Sequence, residues 1–399
     1  MDSKKSIHDE RHSAHRLAGP GLLLEKTHST ATSHQLDEIY TKIPFTQERF
    51  IIVPYSYITK ILNTALFRRQ NSISQLQYLL AENALEQGNE PKLFTHQRSE
   101  HAKLAACLGV AILFKNGIPI QSIMKFAITA AYHDAATPAG GDAIIRIDKK
   151  RLCEEINFSK VMRLHEMEKV FADFSYDIDE AQSWIDGKGV YGTLLDIVDK
   201  ISYTLLDMHY LVKDHDHSSI ISDFTRKNPN FGEIWKDLSV TANGVSFTNP
   251  ENLYRFLLAR ALMYDTLYKN PLCRKLEVLC SKVIRDNLIN GSITCDQLIE
   301  QNDSWLKNLF DYRHLVMRAK NLHHRFVKNE DDARLLASNL GEGLICLEHT
   351  PTLKTGLDFL IRKNDSSRPL VNSLDINQLI DLEAISQNRQ GWHLYFFPS

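Results

Sequence analysis

The chain has few cysteines, and none of them are paired at the spacing of a metal or redox motif. Its 399 residues include six cysteines, of which the two nearest in sequence, Cys273 and Cys280, are seven positions apart. A zinc or disulfide framework needs a regular pattern of closer pairs, so we expect buried, reduced thiols in a cytoplasmic protein. The other four are Cys107, Cys153, Cys295 and Cys346.

Long hydrophobic runs and an excess of charge of one sign are also lacking. No apolar stretch approaches the ~18 residues of a membrane span, and the N-terminal segment is polar, unlike a secretory signal. The net charge is −2, with acidic and basic residues mixed along the chain, so no basic field predicts nucleic-acid binding. The hydrophobic content of 43% instead fits a globular protein with a sizeable core.

Apolar residues recur at helical spacing through most of the chain, which predicts a mainly α fold. Residues 1–45 are polar and weakly periodic, and we expect a flexible or wrapping arm there. Residues 46–290 carry the periodic segments and form the predicted main domain. Residues 291–399 are interpreted as an accessory or oligomerisation region, in which short apolar segments at 343–347 and 392–397 predict strands and an α+β character.

A histidine lies on the inward face of the predicted helix at 97–115. His101 precedes Leu104 and Leu108 by three and seven positions, so all three share one face. Arg98 lies on the same face, where a guanidinium needs an anionic partner. A lone inward histidine is more often a core residue that donates to a carbonyl, and the nearby arginine favours a functional site instead.

A His133-Asp134 doublet ends the next predicted helix, which begins at Pro119 and is apolar on most faces. A carboxylate at the end of a buried helix is costly unless a cation meets it. The segment 138–141, Pro-Ala-Gly-Gly, follows directly and predicts a tight turn. That turn is either a simple helix stop or a place where backbone approaches a phosphate.

A third apolar helix, at 194–207, carries Asp199, Tyr203 and Asp207 at successive intervals of four, which makes one polar stripe. The alternative interpretation is a salt-bridged surface stripe. Together with the residues above, Asp199 completes a set of two imidazoles and two carboxylates, which is an N/O ligand set for a divalent metal. The four candidate ligands are His101, His133, Asp134 and Asp199.

The order of these residues resembles the H…HD…D pattern of HD-domain metal-dependent phosphohydrolases. More specifically, the chain resembles the deoxynucleoside triphosphate (dNTP) triphosphohydrolases, in four blocks spread over about residues 50–285. The blocks are Phe67-x-Arg69-x-x-x-Ile73-x-Gln75-Leu76, Thr95-His96-x-Arg98-x-Glu100-His101, Val198-Asp199-Lys200-x-x-Tyr203-x-x-x-Asp207 and Ala259-Arg260-x-x-Met263-Tyr264-x-x-x-Tyr268. The resemblance implies an HD-domain helical bundle with accessory helices.

The resemblance also implies a role for each matching position. The metal ligands would hold Mn, Fe, Zn, Ni or Co, with Mg bound to the substrate phosphates. Gln75 and Asp207 would contact the deoxyribose 3′-hydroxyl, and Tyr203 would pack on the sugar. The phosphate-binding residues would be Arg98, Lys200 and Arg260. The remaining implied site residues are Tyr268 for substrate binding and His165 and Asp142 for catalysis.

The segment after the doublet departs from the family pattern, because Thr137 and Asp142 stand where histidines are expected. An Asp in a phosphate-rich site is repelled by its surroundings, which leaves two further hypotheses open beside dNTP hydrolysis. One is hydrolysis of another nucleotide, such as a monophosphate or an alarmone. The other is a nucleotide-binding regulator with weakened catalysis. The resemblance further implies a homo-oligomer.

Overall fold

The computed structural model describes residues 38–46, 50–54, 60–76, 78–80, 96–214, 219–353, 359–363 and 366–398. These residues form a mainly helical fold with a small α+β part near the C-terminus, which confirms the predicted fold class. Most of the arm predicted at 1–45 lies outside the described residues. Its last part contains β1 (Glu38–Lys42), which pairs antiparallel with β2 (Phe50–Pro54). The domain boundaries stay a prediction.

Twelve helices lie in the described part of the predicted main domain, and three of them build the candidate site. They are α1 (Ala65–Gln70), α2 (Arg98–Lys115), α3 (Ile120–Tyr132), α4 (Asp142–Ile145), α5 (Lys149–Leu152), α6 (Glu154–Leu164), α7 (Glu168–Ala172), α8 (Ile178–Ile185), α9 (Gly189–Asp214), α10 (Ser219–Lys227), α11 (Pro250–Met263) and α12 (Lys275–Ile289). A 3₁₀ segment spans Phe231–Asp237, and a π-helical turn at Tyr264–Tyr268 continues α11. None of the described helices combines the length and hydrophobicity of a bilayer crossing.

The helices α2 and α3 pack closely because α2 has a glycine, without a side chain, where it contacts α3. A Cβ atom added at Gly109 of α2 would come within 2.0 Å of the Phe126 ring of α3. α2 ends at Lys115 with Asn116 as its C-cap, and Gly117 follows with a φ of +68°, a conformation that glycine adopts without strain. Pro119 then caps α3, as the sequence predicts.

The 26-residue helix α9 is the longest described element, about 39 Å at 1.5 Å per residue. It packs against α2, α3, α8 and α11. Its apolar side is fully buried at Val198, Ile201 and Leu205. The three helices that carry the candidate ligands, α2, α3 and α9, therefore meet along one buried seam.

The C-terminal region adds short helices and small sheets to the same hydrophobic core, which extends from Ile43 to Tyr395. Its helices are α13 (Cys295–Glu300), α14 (Asp303–Lys307), α15 (Tyr312–Lys320), α16 (Glu330–Leu340) and α17 (Ile376–Gln387). Its strands are β5 (His323–Val327), β6 (Leu344–Thr350), β7 (Leu360–Lys363), β8 (Ser366–Pro369) and β9 (Gly391–Phe396). The two strands predicted at 343–347 and 392–397 are confirmed as β6 and β9, neighbours in a sheet of order β5-β9-β6.

One hairpin was missed by the sequence analysis. Residues 212–250 predict a loop-rich stretch with short helices, but β3 (Leu238–Thr241) and β4 (Gly244–Phe247) pair there and join β7 and β8 in a four-stranded sheet. Their turn is Ala242-Asn243, which precedes Gly244. None of the six cysteines forms a disulfide, and five of them are buried, as expected; their reduced state stays a prediction.

Candidate metal centre and substrate cavity

Three of the four predicted ligands converge on one point. The Nε2 atoms of His101 and His133 are 3.2 Å apart, and the Oδ1 atom of Asp199 lies 3.0 Å from the first and 3.2 Å from the second. His101 comes from α2, His133 follows the last residue of α3, and Asp199 lies on α9. Both imidazoles are buried. These three atoms are close enough together to ligate a single ion.

Hydrogen bonds at the far side of each ring orient the imidazoles for this task. The Nδ1–H of His133 donates to the carbonyl oxygen of Ala130 at 2.7 Å. The Ser202 hydroxyl donates to the carbonyl oxygen of Asp199 at 2.9 Å, so it accepts from the Nδ1–H of His101, also at 2.9 Å. The Nε2 atom of each ring therefore points at the Asp199 carboxylate, where in the metal-binding, unprotonated form of the ring it presents a lone pair. Three acceptors that face one another need a cation between them.

The titration of the cluster points to the same requirement. Burial lowers the pKa of His133, but the negative charges of Asp134 and Asp199 outweigh burial and raise it to about 9. Burial raises the pKa of Asp199, but its hydrogen bonds to His101 and His133 prevail and hold that pKa well below its usual range. The surroundings thus favour added positive charge, and a divalent ion would supply it. Imidazole and carboxylate ligands bind Mn, Fe, Zn, Ni and Co with overlapping affinity.

The fourth predicted ligand, Asp134, borders the cluster and is shared with an arginine. Its oxygens lie 3.5 Å from His101 Nε2 and 3.6 Å from His133 Nε2. Arg98 Nη1 donates to Asp134 Oδ2 at 2.7 Å, and Arg98 Nη2 donates to Asp142 Oδ1, also at 2.7 Å. Arg98 is buried, so it depends on both carboxylates to compensate for its lost hydration. The arginine thereby fixes Asp142 beside the cluster.

The turn after the doublet is shaped by two glycines with positive φ, Gly140 at +87° and Gly141 at +60°. A Cβ at Gly140 would clash with Ile144 at 2.5 Å and Leu306 at 2.8 Å, so only glycine fits. This turn places Asp142 at the start of α4, directly opposite Arg98.

A residue that sequence analysis missed anchors this turn. Asp303 accepts from the backbone N–H of Gly140 through Oδ1 at 2.9 Å and from that of Ser74 through Oδ2 at 2.7 Å. The Asp303 carboxyl is buried, and burial raises its pKa. Asp303 ties the glycine turn to the segment that carries Gln75. The sequence gives no signal for this contact, because 163 residues separate Asp303 from Gly140.

Replacing Asp303 by alanine is expected to destabilise the protein by about 3 kcal/mol, since two buried backbone donors lose a charged acceptor. Urea unfolding of the full chain measures this free energy. Asp303→Asn is the matched control: one amide oxygen can still accept a single bond, so we expect a smaller loss. Equal stability of Asp303→Ala and the wild type would contradict the anchoring role.

A cavity of about 200 Å³ lies next to the cluster, lined by predicted substrate residues. Its wall contains Gln75, Asp142, Tyr203, Asp207 and Tyr268. The Oε1 atom of Gln75 is buried and has no hydrogen-bond partner among the described residues. A buried polar atom without a partner is costly, and a ligand that donates to it would remove the cost.

The remaining substrate positions are linked to one another by hydrogen bonds. Asp207 accepts from the Tyr268 hydroxyl and pairs with His96 Nε2, which holds both of its oxygens in fixed directions. Arg260 Nε donates to the Tyr203 hydroxyl at 2.9 Å. The Tyr203 ring is tilted towards His101, with 6.4 Å between the ring centroids. The cavity wall is thus continuous with the metal-ligand cluster.

Two predicted site residues lie apart from this group. Lys200 pairs with Asp196 on the outer side of α9. His165 is exposed at the end of α6, where its charged neighbours are Arg69 and Glu300. Within the described residues, no hydrogen bond or ion pair joins either side chain to the metal cluster.

A carboxyl group that sequence analysis missed stands near the doublet instead. Glu154, the first residue of α6, has a buried Oε2 atom with no hydrogen-bond partner among the described residues. Burial and the charges of Asp134 and Asp142 raise its pKa to about 8, against the lowering effect of Arg98. Glu154 does not stand out in the sequence, because acidic residues are common in the first turn of a helix, where they interact favourably with the helix dipole.

No family model matches the sequence, and no curated protein matches it. Solved structures do share the fold. A hypothetical protein from Aquifex aeolicus aligns at 14% identity with a TM-score of 0.67, over 90% of this chain and 96% of its own. A phosphohydrolase from Bacteroides thetaiotaomicron aligns at 15% identity with a TM-score of 0.62, over 91% of this chain and 100% of its own.

The chain has a phosphohydrolase-like fold. At these identities the likeness establishes the fold alone. The narrower resemblance to dNTP triphosphohydrolases therefore remains an interpretation of the sequence motifs.

Proposed function

We propose that the protein is a metal-dependent phosphohydrolase that acts on nucleotides, and that it converts a dNTP to a deoxynucleoside and triphosphate. The observation that carries the proposal is the convergence of His101, His133 and Asp199 beside a cavity with a buried, unpartnered Gln75 oxygen. The phosphohydrolase with the same fold supports the reaction class. The four sequence blocks support the choice of substrate.

A bound divalent ion would polarise the phosphoryl group and activate water. His101, His133 and Asp199 would hold the ion, with Asp134 beside them. In the cavity, an oxygen of Asp207 would accept from the 3′-hydroxyl, the Gln75 amide N–H would donate to the same hydroxyl oxygen, and Gln75 Oε1 would accept from a different donor of the substrate. The guanidinium of Arg260 would neutralise charge on the phosphate oxygens.

Proton transfer in this site needs a group other than the two histidines replaced by Thr137 and Asp142. Asp142 is committed to Arg98, and His165 is exposed near Arg69. We propose that Glu154 takes this part. The water loses one proton as its bond to phosphorus forms, and the leaving 5′ oxygen gains one as the P–O bond breaks. A neutral Glu154 carboxyl would donate the proton to the leaving oxygen, and the resulting carboxylate would accept the proton released by the attacking water, which returns Glu154 to its starting state.

The proposal is tested by incubating the full chain with each dNTP and Mn²⁺ or Mg²⁺ and separating the products by ion exchange. We expect deoxynucleoside and inorganic triphosphate in equal amounts, and no product after chelation of the metal. Stepwise release of orthophosphate would show a different nucleotide hydrolase, and an intact panel of dNTPs with a metal-loaded protein would contradict dNTP hydrolysis.

One observation favours a second function, that of a nucleotide-binding regulator. The catalytic histidines of the resembling family are absent, and Asp142 at one of these positions is neutralised by Arg98. Thermal denaturation distinguishes the two functions. A regulator is stabilised by a dNTP that remains intact in the same sample, whereas the enzyme consumes it.

A further inference from the structure

A second cavity adjoins the substrate cavity, and the C-terminal region forms half of its wall. Its volume is about 260 Å³. Tyr264 and Lys269 of the main domain line both cavities, so the two lie side by side. The opposite wall comes from Thr350 at the end of β6, from residues 351–353 that follow it, from Ile385 and Ser386 at the end of α17, and from Arg389 just after that helix. We call this space the basic cavity.

The basic cavity has the chemistry of an oligophosphate site. Three cations, Arg260, Lys269 and Arg389, line it with a single carboxylate, Asp265. Arg389 Nε donates to Asp265 Oδ1 at 2.9 Å, which holds the guanidinium beside the cavity. Thr350, Thr352 and Ser386 add aliphatic hydroxyl groups to the wall. Arginine, lysine and hydroxyl donors together suit phosphate oxygens.

The charge on Lys269 adds to this argument. Burial lowers the pKa of its ammonium group to about 8, and the nearby Arg146 and Arg274 act in the same direction. An anion in the cavity would offset both effects and stabilise the ammonium ion. A bound anion would therefore favour the charged form of Lys269 and would be attracted to it.

The charges around the two cavities also indicate which anion the basic cavity would bind. On the metal side of the substrate cavity, Asp134, Asp142 and Asp199 balance the positive charge of Arg98 and of a bound divalent ion, so little positive charge is left there for the phosphates beyond the reacting one. Arg260 connects the metal side to the basic cavity. Its Nε donates to the Tyr203 hydroxyl, and Tyr203 lies one turn after Asp199 on α9. Its guanidinium lies over the ring of Tyr264, 5.0 Å from the centroid, and Tyr264 lines both cavities.

We propose that the basic cavity binds the phosphate tail of the substrate, and that Arg389 of the C-terminal region selects triphosphates over shorter phosphates. This inference rests on the proposed function for the identity of the substrate. It gives the C-terminal region a direct part in substrate binding, in addition to the accessory part expected from the sequence.

The test measures binding of inorganic tripolyphosphate and of orthophosphate to the metal-loaded full chain by isothermal titration, with excess Mg²⁺. In Arg389→Ala we expect the Kd of tripolyphosphate to rise about tenfold and that of orthophosphate to change little. Arg389→Lys should recover part of the loss. Arg334→Ala removes an exposed arginine of α16 and serves as the control. Lys269→Gln weakens the same cavity from the other wall, should Arg389→Ala fail to fold.

Kinetics separates this inference from the proposed function. With a dNTP, Arg389→Ala should raise KM about tenfold and leave kcat within about twofold. Hydrolysis with unchanged KM and unchanged tripolyphosphate binding in both variants would overturn the inference while the function stands. Binding of tripolyphosphate that depends on Arg389, without dNTP turnover, would support the cavity and contradict the function. A sigmoidal rate curve that Arg389→Ala makes hyperbolic would assign the cavity to a separate effector and overturn the inference.

Discussion

Replacing Asp199 by alanine is expected to remove the metal ion and to lower phosphohydrolase activity by at least about 10³-fold. Without its carboxylate, the two Nε2 atoms 3.2 Å apart lose their nearest anionic partner, and Asp134, the other carboxylate beside them, is shared with Arg98. The loss of the ion removes several kcal/mol of transition-state stabilisation. Elemental analysis of the purified variant measures metal content, and product formation from the nucleotide measures activity.

A matched control makes the result specific to the cluster. Asp179→Ala removes an exposed carboxylate of α8 that pairs with Arg163 at the surface, so its metal content and activity should equal those of the wild type. Asp199→Asn keeps the size of the side chain and removes its charge, and it should also lose the metal. A full complement of metal in both Asp199 variants would show that the ion, if present, is bound elsewhere.

The elements that carry the site were predictable because their signals are local. The inward face of α2 follows from the spacing of His101 to Leu104 and Leu108, and the apolar pattern of α3 from the residues after Pro119. The polar stripe on α9 follows from the spacing of Asp199 and Tyr203. Such periodicity depends only on the geometry of a helix, so a single sequence contains it.

The missed features depend on contacts between distant parts of the chain. Asp303 reaches Gly140 across 163 residues, and Arg389 reaches Asp265 across 124. The β3–β4 hairpin was missed because its strands are only four residues each, too short for the alternation of β3 to stand out from a loop. His165, inferred from a two-residue match, lies exposed at the end of α6, and its catalytic role stays a prediction.

Replacing Glu154 by glutamine is expected to lower the rate about 10²-fold while metal content and the KM for nucleotide stay close to wild type. The amide is similar in size to the carboxyl but cannot donate an acidic proton, and general acid–base catalysis contributes about 10²–10⁴-fold. Glu155→Gln is the matched control, because Glu155 is the next residue of the same helix turn and is exposed. Its rate should equal that of the wild type.

The pH dependence separates proton donation by Glu154 from a purely structural role. The pKa of Glu154 is raised to about 8, so the carboxyl is protonated below that pH and loses its proton above it. A donor must be protonated, and the wild-type rate should therefore fall as the pH rises through about 8. In Glu154→Gln this decline should disappear and leave a low, flat profile. A variant that is slow but keeps the wild-type decline would show that another group donates the proton, and that Glu154 only supports the arrangement of Arg98 and its carboxylates.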